Sequence, residues 1–258
     1  MAYKKLKFWF DKELAELLSD KIIEKKPDFP KEQFIQNIVR GVQGLELKDR
    51  VEVIADELHT SLANSYRKNV TVLVQTLGPE NPEETGMFTN YYWVMPIAKY
   101  VEKYGLNDFD ISMDFILEIT KRNTGEYAIR PFLETHTDKT LKVMLDWSKG
   151  ENFHIRRLSS EGVRPRLPWA KQLKIFIDDP KPILPILNNL KDDQSKYVQK
   201  SVANCLNDIL KDNPEIGINV IEDWQENPTN QRRWIIKHSL RTLLKQENEW
   251  AEGILNGL

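Results

Sequence analysis

Apolar residues recur three and four positions apart along most of the chain, which is the spacing of a helix with one buried face. Leu14, Leu17, Leu18, Ile22 and Ile23 form the first such stripe. Asp11 stands just before it, where a short acceptor side chain can cap the free N–H groups of a helix start. Pro27 and Pro30 break the chain, and Phe34, Ile35, Ile38, Val39 and Val42 resume the stripe. The run LELKDRVEVIADELHTSL then puts Val51, Ile54, Ala55, Leu58 and Leu62 on one face. NVTVLVQTLG at 69–78 fits a strand or a helix, since a short β-branched run satisfies both patterns. No convincing partner strand accompanies it, so helix is the reading taken. GPENPEETG at 78–86 predicts a loop. Beyond it the helices are short and punctuated by Pro96, Pro131, Pro165, Pro168, Pro180, Pro182, Pro185, Pro214 and Pro228. The pattern predicts an all-α fold.

The second half repeats itself. YAIRPFL from Tyr127, HIRRLSS from His154, YVQKSVA from Tyr197 and WIIKHSL from Trp234 each open on an aromatic or His. An apolar residue comes next, and a basic one takes the fourth place: Arg130, Arg157, Lys200 and Lys237. The offsets are 27, 43 and 37 residues. An irregular period of about 40 suits HEAT-like helical pairs, which stack into a curved solenoid because no pair buries its apolar face alone. One repeat position then forms a ladder along one surface. Here that ladder is either an ordinary solvated face or a groove that tracks phosphates.

Composition narrows the class. The chain has 258 residues, room for one large domain or two small ones, and one domain spanning 1–258 is the expectation. No run of about 18 apolar residues exists to span a membrane. The N-terminus lacks the apolar core and cleavage site of a secretory signal. Cys205 is the single cysteine, which excludes intrachain disulfides and fits a cytoplasmic location. A net charge of -2 argues against a nucleic-acid partner, but clustering outweighs the total. Phe153 to Lys174 holds six Arg or Lys and one acid. Gln231 to Gln246 holds Arg232, Arg233, Lys237, Arg241 and Lys245 and no acid.

The segment FHIRRLSSEGVRPRLPW, 153–169, concentrates the candidate chemistry. Arg156, Arg157, Arg164 and Arg166 offer planar forks suited to phosphate oxygens. Gly162 is placed to end the helix, and Pro165 and Pro168 stiffen a loop that presents Arg166 and Trp169 at low ordering cost. Glu161 is either an ion-pair partner of these arginines or an acid aimed at a substrate. Glu126 and Asp208 stand in comparable settings in the flanking repeats. Helices pack about 8–10 Å apart, so acids from three successive repeats could face one sugar. His59, His136, His154 and His238 are scattered, and Cys205 has no partner at zinc spacing, so neither metal nor cofactor is expected. There is no GxGxxG, Walker loop or GxSxG elbow.

The chain resembles the DNA alkylation repair glycosylases of the AlkC/AlkD superfamily, and the AlkC branch more than the other. LKFWFDKELAELLSDKI, LELKDRVEVIADEL, GEYAIRPFL, RRLSSEGVRPRLPW, the stretch DPKPILPILNNLKDDQSKYVQKSVANCLNDILKDNP and HSLRTLLK carry the resemblance over essentially the whole chain. RRLSSEGVRPRLPW is the most specific of them. The resemblance implies a solenoid that grips duplex DNA in a concave basic groove. It implies hydrolysis of the N-glycosidic bond of cationic lesions such as 3-methyladenine, and 3-methylcytosine for AlkC-like members, without deep base flipping. By motif it implies catalytic roles for Glu126, Glu161 and Asp208 and a lesion contact for Trp169. Some AlkC-like relatives carry an immunoglobulin-like domain that is not expected here. No lysine of the cluster suits a Schiff-base nucleophile, so a monofunctional enzyme that leaves an abasic site is expected; a monomer is the expected state. The alternatives are a non-catalytic protein that binds damaged or branched DNA, and a protein-binding scaffold.

Overall fold

A computed structural model describes residues 4–86 and 90–258. Among them are sixteen α-helices and three short 3-10 helices, with no strand. The chain divides into two compact units, Met1–Ile129 and Arg130–Leu258.

The first unit contains α1 (Lys12–Ile23), α2 (Lys31–Gly41), α3 (Leu47–Leu62), α4 (Tyr66–Thr76), α5 (Met95–Tyr104) and α6 (Phe109–Thr120). Asp11 caps α1 by accepting from the Glu13 backbone N–H, as its place before the stripe predicts. Leu14, Leu18, Ile22, Phe34, Ile38 and Val42 are buried, and so are Val51, Ile54, Ala55, Leu58 and Leu62 of α3. The ambiguous run at 69–78 lies mostly in α4, where Val70 and Leu73 turn inward at helical spacing. Residues 78–86 form no helix or strand. Glu126 belongs to this unit and is buried, with the Thr124 hydroxyl donating to its carboxylate at 3.1 Å.

The second unit contains α7 (Arg130–Thr135), α8 (Thr137–Trp147), α9 (Phe153–Glu161), α10 (Lys174–Asp178), α11 (Leu184–Leu190) and α12 (Lys196–Asp212). It continues with α13 (Pro214–Trp224), α14 (Asn230–Ser239), α15 (Arg241–Leu244) and α16 (Glu249–Gly257). Prolines that read as punctuation sit in the first turns of α11 and α13, where the missing N–H breaks no helical bond. The longest helix, α12, is capped by the Ser195 hydroxyl accepting from Val198 N–H. It packs against α9, α13 and α14. Val198, Val202, Leu206, Ile209 and Leu210 fill the space between them. No helix among the described residues is long and apolar enough to cross a membrane.

Candidate active site and nucleic-acid surface

Helix α9 starts where the Asn152 side chain accepts from the His154 and Ile155 N–H groups. It ends at Glu161, one residue before Gly162. Gly162 keeps right-handed dihedrals, φ -63 and ψ -33, so the helix stops there without using glycine's left-handed freedom. The segment beyond is a series of turns closed by Leu173 N–H donating to the Pro165 carbonyl. Arg130, buried in α7, braces this loop. Its guanidinium donates to the carbonyls of Gly162 at 3.1 Å, Arg164 at 3.0 Å and Lys171 at 2.6 Å.

Trp169 stands on the braced loop with 67% of its surface exposed. Its φ is +61, a conformation that a bulky residue rarely adopts. Burying the indole would remove far more apolar surface from water. An exposed aromatic held in a strained conformation by a braced loop is the kind of strain that collects at functional positions.

Glu161 and Asp208 meet on one guanidinium. Arg164 Nη1 donates to Glu161 Oε1 at 2.7 Å, and Nε donates to Asp208 Oδ2 at 2.9 Å. All three residues are buried, at 5%, 6% and 2% exposure for Glu161, Arg164 and Asp208. The two acids nevertheless differ. Burial pushes the Glu161 carboxyl up, but Arg157 and Arg164, with hydrogen bonds from Ser201 and Arg164, outweigh it and hold it below the usual range. Arg157 lies 3.6 Å from Glu161. At Asp208 burial wins: Arg164 opposes it, Glu161 repels, and the carboxyl is held above its ordinary value. Between them Arg164 is locked in its charged form, since its two anions outweigh its own burial. The nearby Cys205 thiol is buried and pushed well up, so it is no thiolate.

The other cations of the segment are also engaged. Arg156 forms a fork on Asp193, at 2.6 and 3.2 Å, and donates to the carbonyls of Gly150 and Glu151. Arg166, 41% exposed at its side chain, makes a bidentate pair with Asp212. Arg157 lies over the Tyr197 ring, 4.9 Å from its centroid. Lys200 and Lys237 are exposed on α12 and α14. One aligned pair of rings lies side by side, and a second aligned ring is covered by a lysine. His154 and Tyr197 meet edge to face at 5.8 Å, and Lys196 sits 3.9 Å over the Trp234 ring.

Thus one unit brings Glu161 and Asp208 together with Arg164. Glu126 is carried by the other unit. Sequence reasoning missed the acids that hold the arginines, Asp193 and Asp212, and the hydroxyl of Ser201. Their signal was available: each lies 37 to 46 residues from its partner, about one repeat away. Among the described residues no group of three or more His, Cys, Asp or Glu is placed to hold a metal ion.

A family profile described as DNA alkylation repair enzyme matches residues 123–243. The chain is 37% identical to the Bacillus subtilis (strain 168) protein YhaZ over 247 residues, 95% of this chain and 66% of YhaZ. A solved structure of the Pseudomonas fluorescens alkylpurine DNA glycosylase AlkC, bound to DNA containing an abasic site analog, superposes with a TM-score of 0.89 at 35% identity. That match covers 98% of this chain and 69% of AlkC, so the chain spans about two thirds of each relative. AlkD2 from Streptococcus mutans shares the fold at a TM-score of 0.58 and 22% identity, covering 81% of this chain and 97% of AlkD2.

Proposed function

This chain belongs to the DNA alkylation repair enzyme family of AlkC and AlkD, and we propose that it hydrolyses the N-glycosidic bond of cationic alkylated bases in duplex DNA. The observation that carries this reading is the pair of buried carboxylates, Glu161 and Asp208, held by the one guanidinium of Arg164. Alkylation at N3 or N7 makes the base a cation and hence a good leaving group. Its departure builds positive charge on the deoxyribose. A carboxylate about 4 Å from that charge contributes roughly 4 kcal/mol at an effective dielectric near 20. That is about a thousandfold in rate, enough for a labile lesion and too little for an unmodified base.

Two acids whose surroundings push them apart divide the work. Glu161, held ionised, supplies the standing negative charge. Asp208, the more basic carboxylate, orients the attacking water and accepts its proton. Trp169 lays its ring against the cationic base, which cation–π attraction favours over the neutral one. A catalytic role for Glu126 rests on its motif GEYAIRPFL alone. Lys200, Lys237, Arg157 and Arg166 meet phosphates. Arg130, Arg156 and Arg164, whose donors face the protein, shape the surface that does so.

The test is release of 3-methyladenine, and in parallel 3-methylcytosine, from methylated duplex. Wild type is expected to release base, and Glu161→Gln and Asp208→Asn to lose about a hundredfold or more. Duplex binding without release above background by wild type would instead identify a non-catalytic DNA-binding protein.

A further inference from the structure

Several cations of the second unit are matched by an anion: Arg156 by Asp193, Arg164 by Glu161 and Asp208, Arg166 by Asp212, Arg232 by Asp192 and Lys171 by Glu134. Another group is held by ring contacts instead. Lys196 and Lys200 lie one turn apart on α12, so they share a face. Trp234 and His238 lie one turn apart on α14, their rings stacked at 4.8 Å and 12°. Lys196 crosses from α12 to cover Trp234. Arg241 closes the group, donating to the His238 carbonyl at 2.8 Å and to Asn204 Oδ1 at 2.9 Å. None of Lys196, Lys200 and Arg241 forms an ion pair among the described residues. We propose that Lys196, Lys200, Arg241 and His238 form a proton-coupled clamp for one phosphodiester of the nucleic-acid backbone, with the imidazole charging as the phosphate arrives.

The clamp rests on the reading that this unit holds DNA, and adds to it a site and a linkage. The half-buried imidazole lies below its ordinary value because of its burial and of Arg241, Lys200 and Lys196, all positive. The carboxylates of the adjoining α13, Glu215, Glu222 and Asp223, are exposed, and none is among the charges that act on His238. The free protein therefore holds His238 neutral near neutrality. A phosphate seated among the three cations cancels their field and makes protonation favourable. A phosphodiester keeps its single charge throughout this range, so the proton goes to the protein. Arg241 reaches Asn204, one turn before Asp208 on α12, so the clamp is tied to the helix that carries that acid.

The experiment is calorimetric titration of the full chain with a short undamaged duplex at low salt, in two buffers of different ionisation enthalpy, between about pH 6 and pH 7.5. Wild type is expected to take up a fraction of one proton per duplex, and its affinity to rise about two- to fivefold toward the lower pH. His238→Gln should bind without proton uptake and with a flat profile. In Lys196→Gln/Lys200→Gln the free imidazole, followed by NMR, should titrate closer to its ordinary value. Duplex binding with no proton uptake, or uptake that persists in His238→Gln, would overturn the clamp and leave the glycosylase reading standing. No duplex binding at all would overturn both. Base release absent alongside normal proton uptake would remove the glycosylase reading alone.

Discussion

Arg164 is the residue on which the candidate site depends. It compensates two buried carboxylates at once, and a buried charge stripped of its partner is costly. Arg164→Met should destabilise the protein by about 3–5 kcal/mol, seen as a melting temperature lower by on the order of 10 °C. The pH dependence follows from the signs. Without the cation, burial raises both carboxyls above their unfolded values. The added cost is then small at acid pH, where both acids are protonated in folded and unfolded chains. It grows as pH rises through the carboxylate range and is full near neutrality. Thermal melts of variant and wild type at acid and neutral pH check this, and an equal loss at both would mean that the carboxylates are not the cause. Glu161 stood out in the sequence as the lone acid amid arginines. Its two candidate roles turn out to be compatible, since the ion pair is what keeps it charged.

At the scale of elements, the loop after α9 and the helix α12 were legible to different degrees. The stripes of α1 to α3 predicted their buried faces because an amphipathic helix writes its contacts every three or four residues. The pairs that reach across to another helix do not follow that rule. Arg164 to Asp208 spans 44 residues and Arg166 to Asp212 spans 46, and only packing of neighbouring helices brings them together. The repeat alignment came nearest, placing His154 beside Tyr197. Gly162 ends the helix as the sequence suggests, but the left-handed residue of the loop, Trp169, carried no signal in the sequence. Trp169→Gly removes both the ring and the strain. It should change the melting temperature by no more than about 2 °C while base release falls about tenfold. A large thermal loss with unchanged release would make the indole a packing residue.

Over the whole chain, a net charge of -2 conceals a local excess in the second unit, where Lys196, Lys200 and Arg241 lack counterions among the described residues. Such an excess binds a polyanion by releasing its counterions, so duplex affinity should fall steeply with salt. About six phosphate contacts predict a loss of roughly a thousandfold between about 50 and 200 mM salt. Fluorescence anisotropy on an undamaged duplex measures it, and a flat profile would favour a protein partner over DNA. If the carboxylates on Arg164 act on the lesion rather than on DNA affinity, losing one slows base release and leaves binding intact. Single-turnover release of 3-methyladenine under saturating protein tests it most directly, with wild type and Glu161→Gln compared and duplex Kd measured on the same samples. The expected result is a rate about a hundredfold lower or more in the variant with Kd within about threefold. A rate at saturation equal to that of wild type, with the whole defect in Kd, would contradict it.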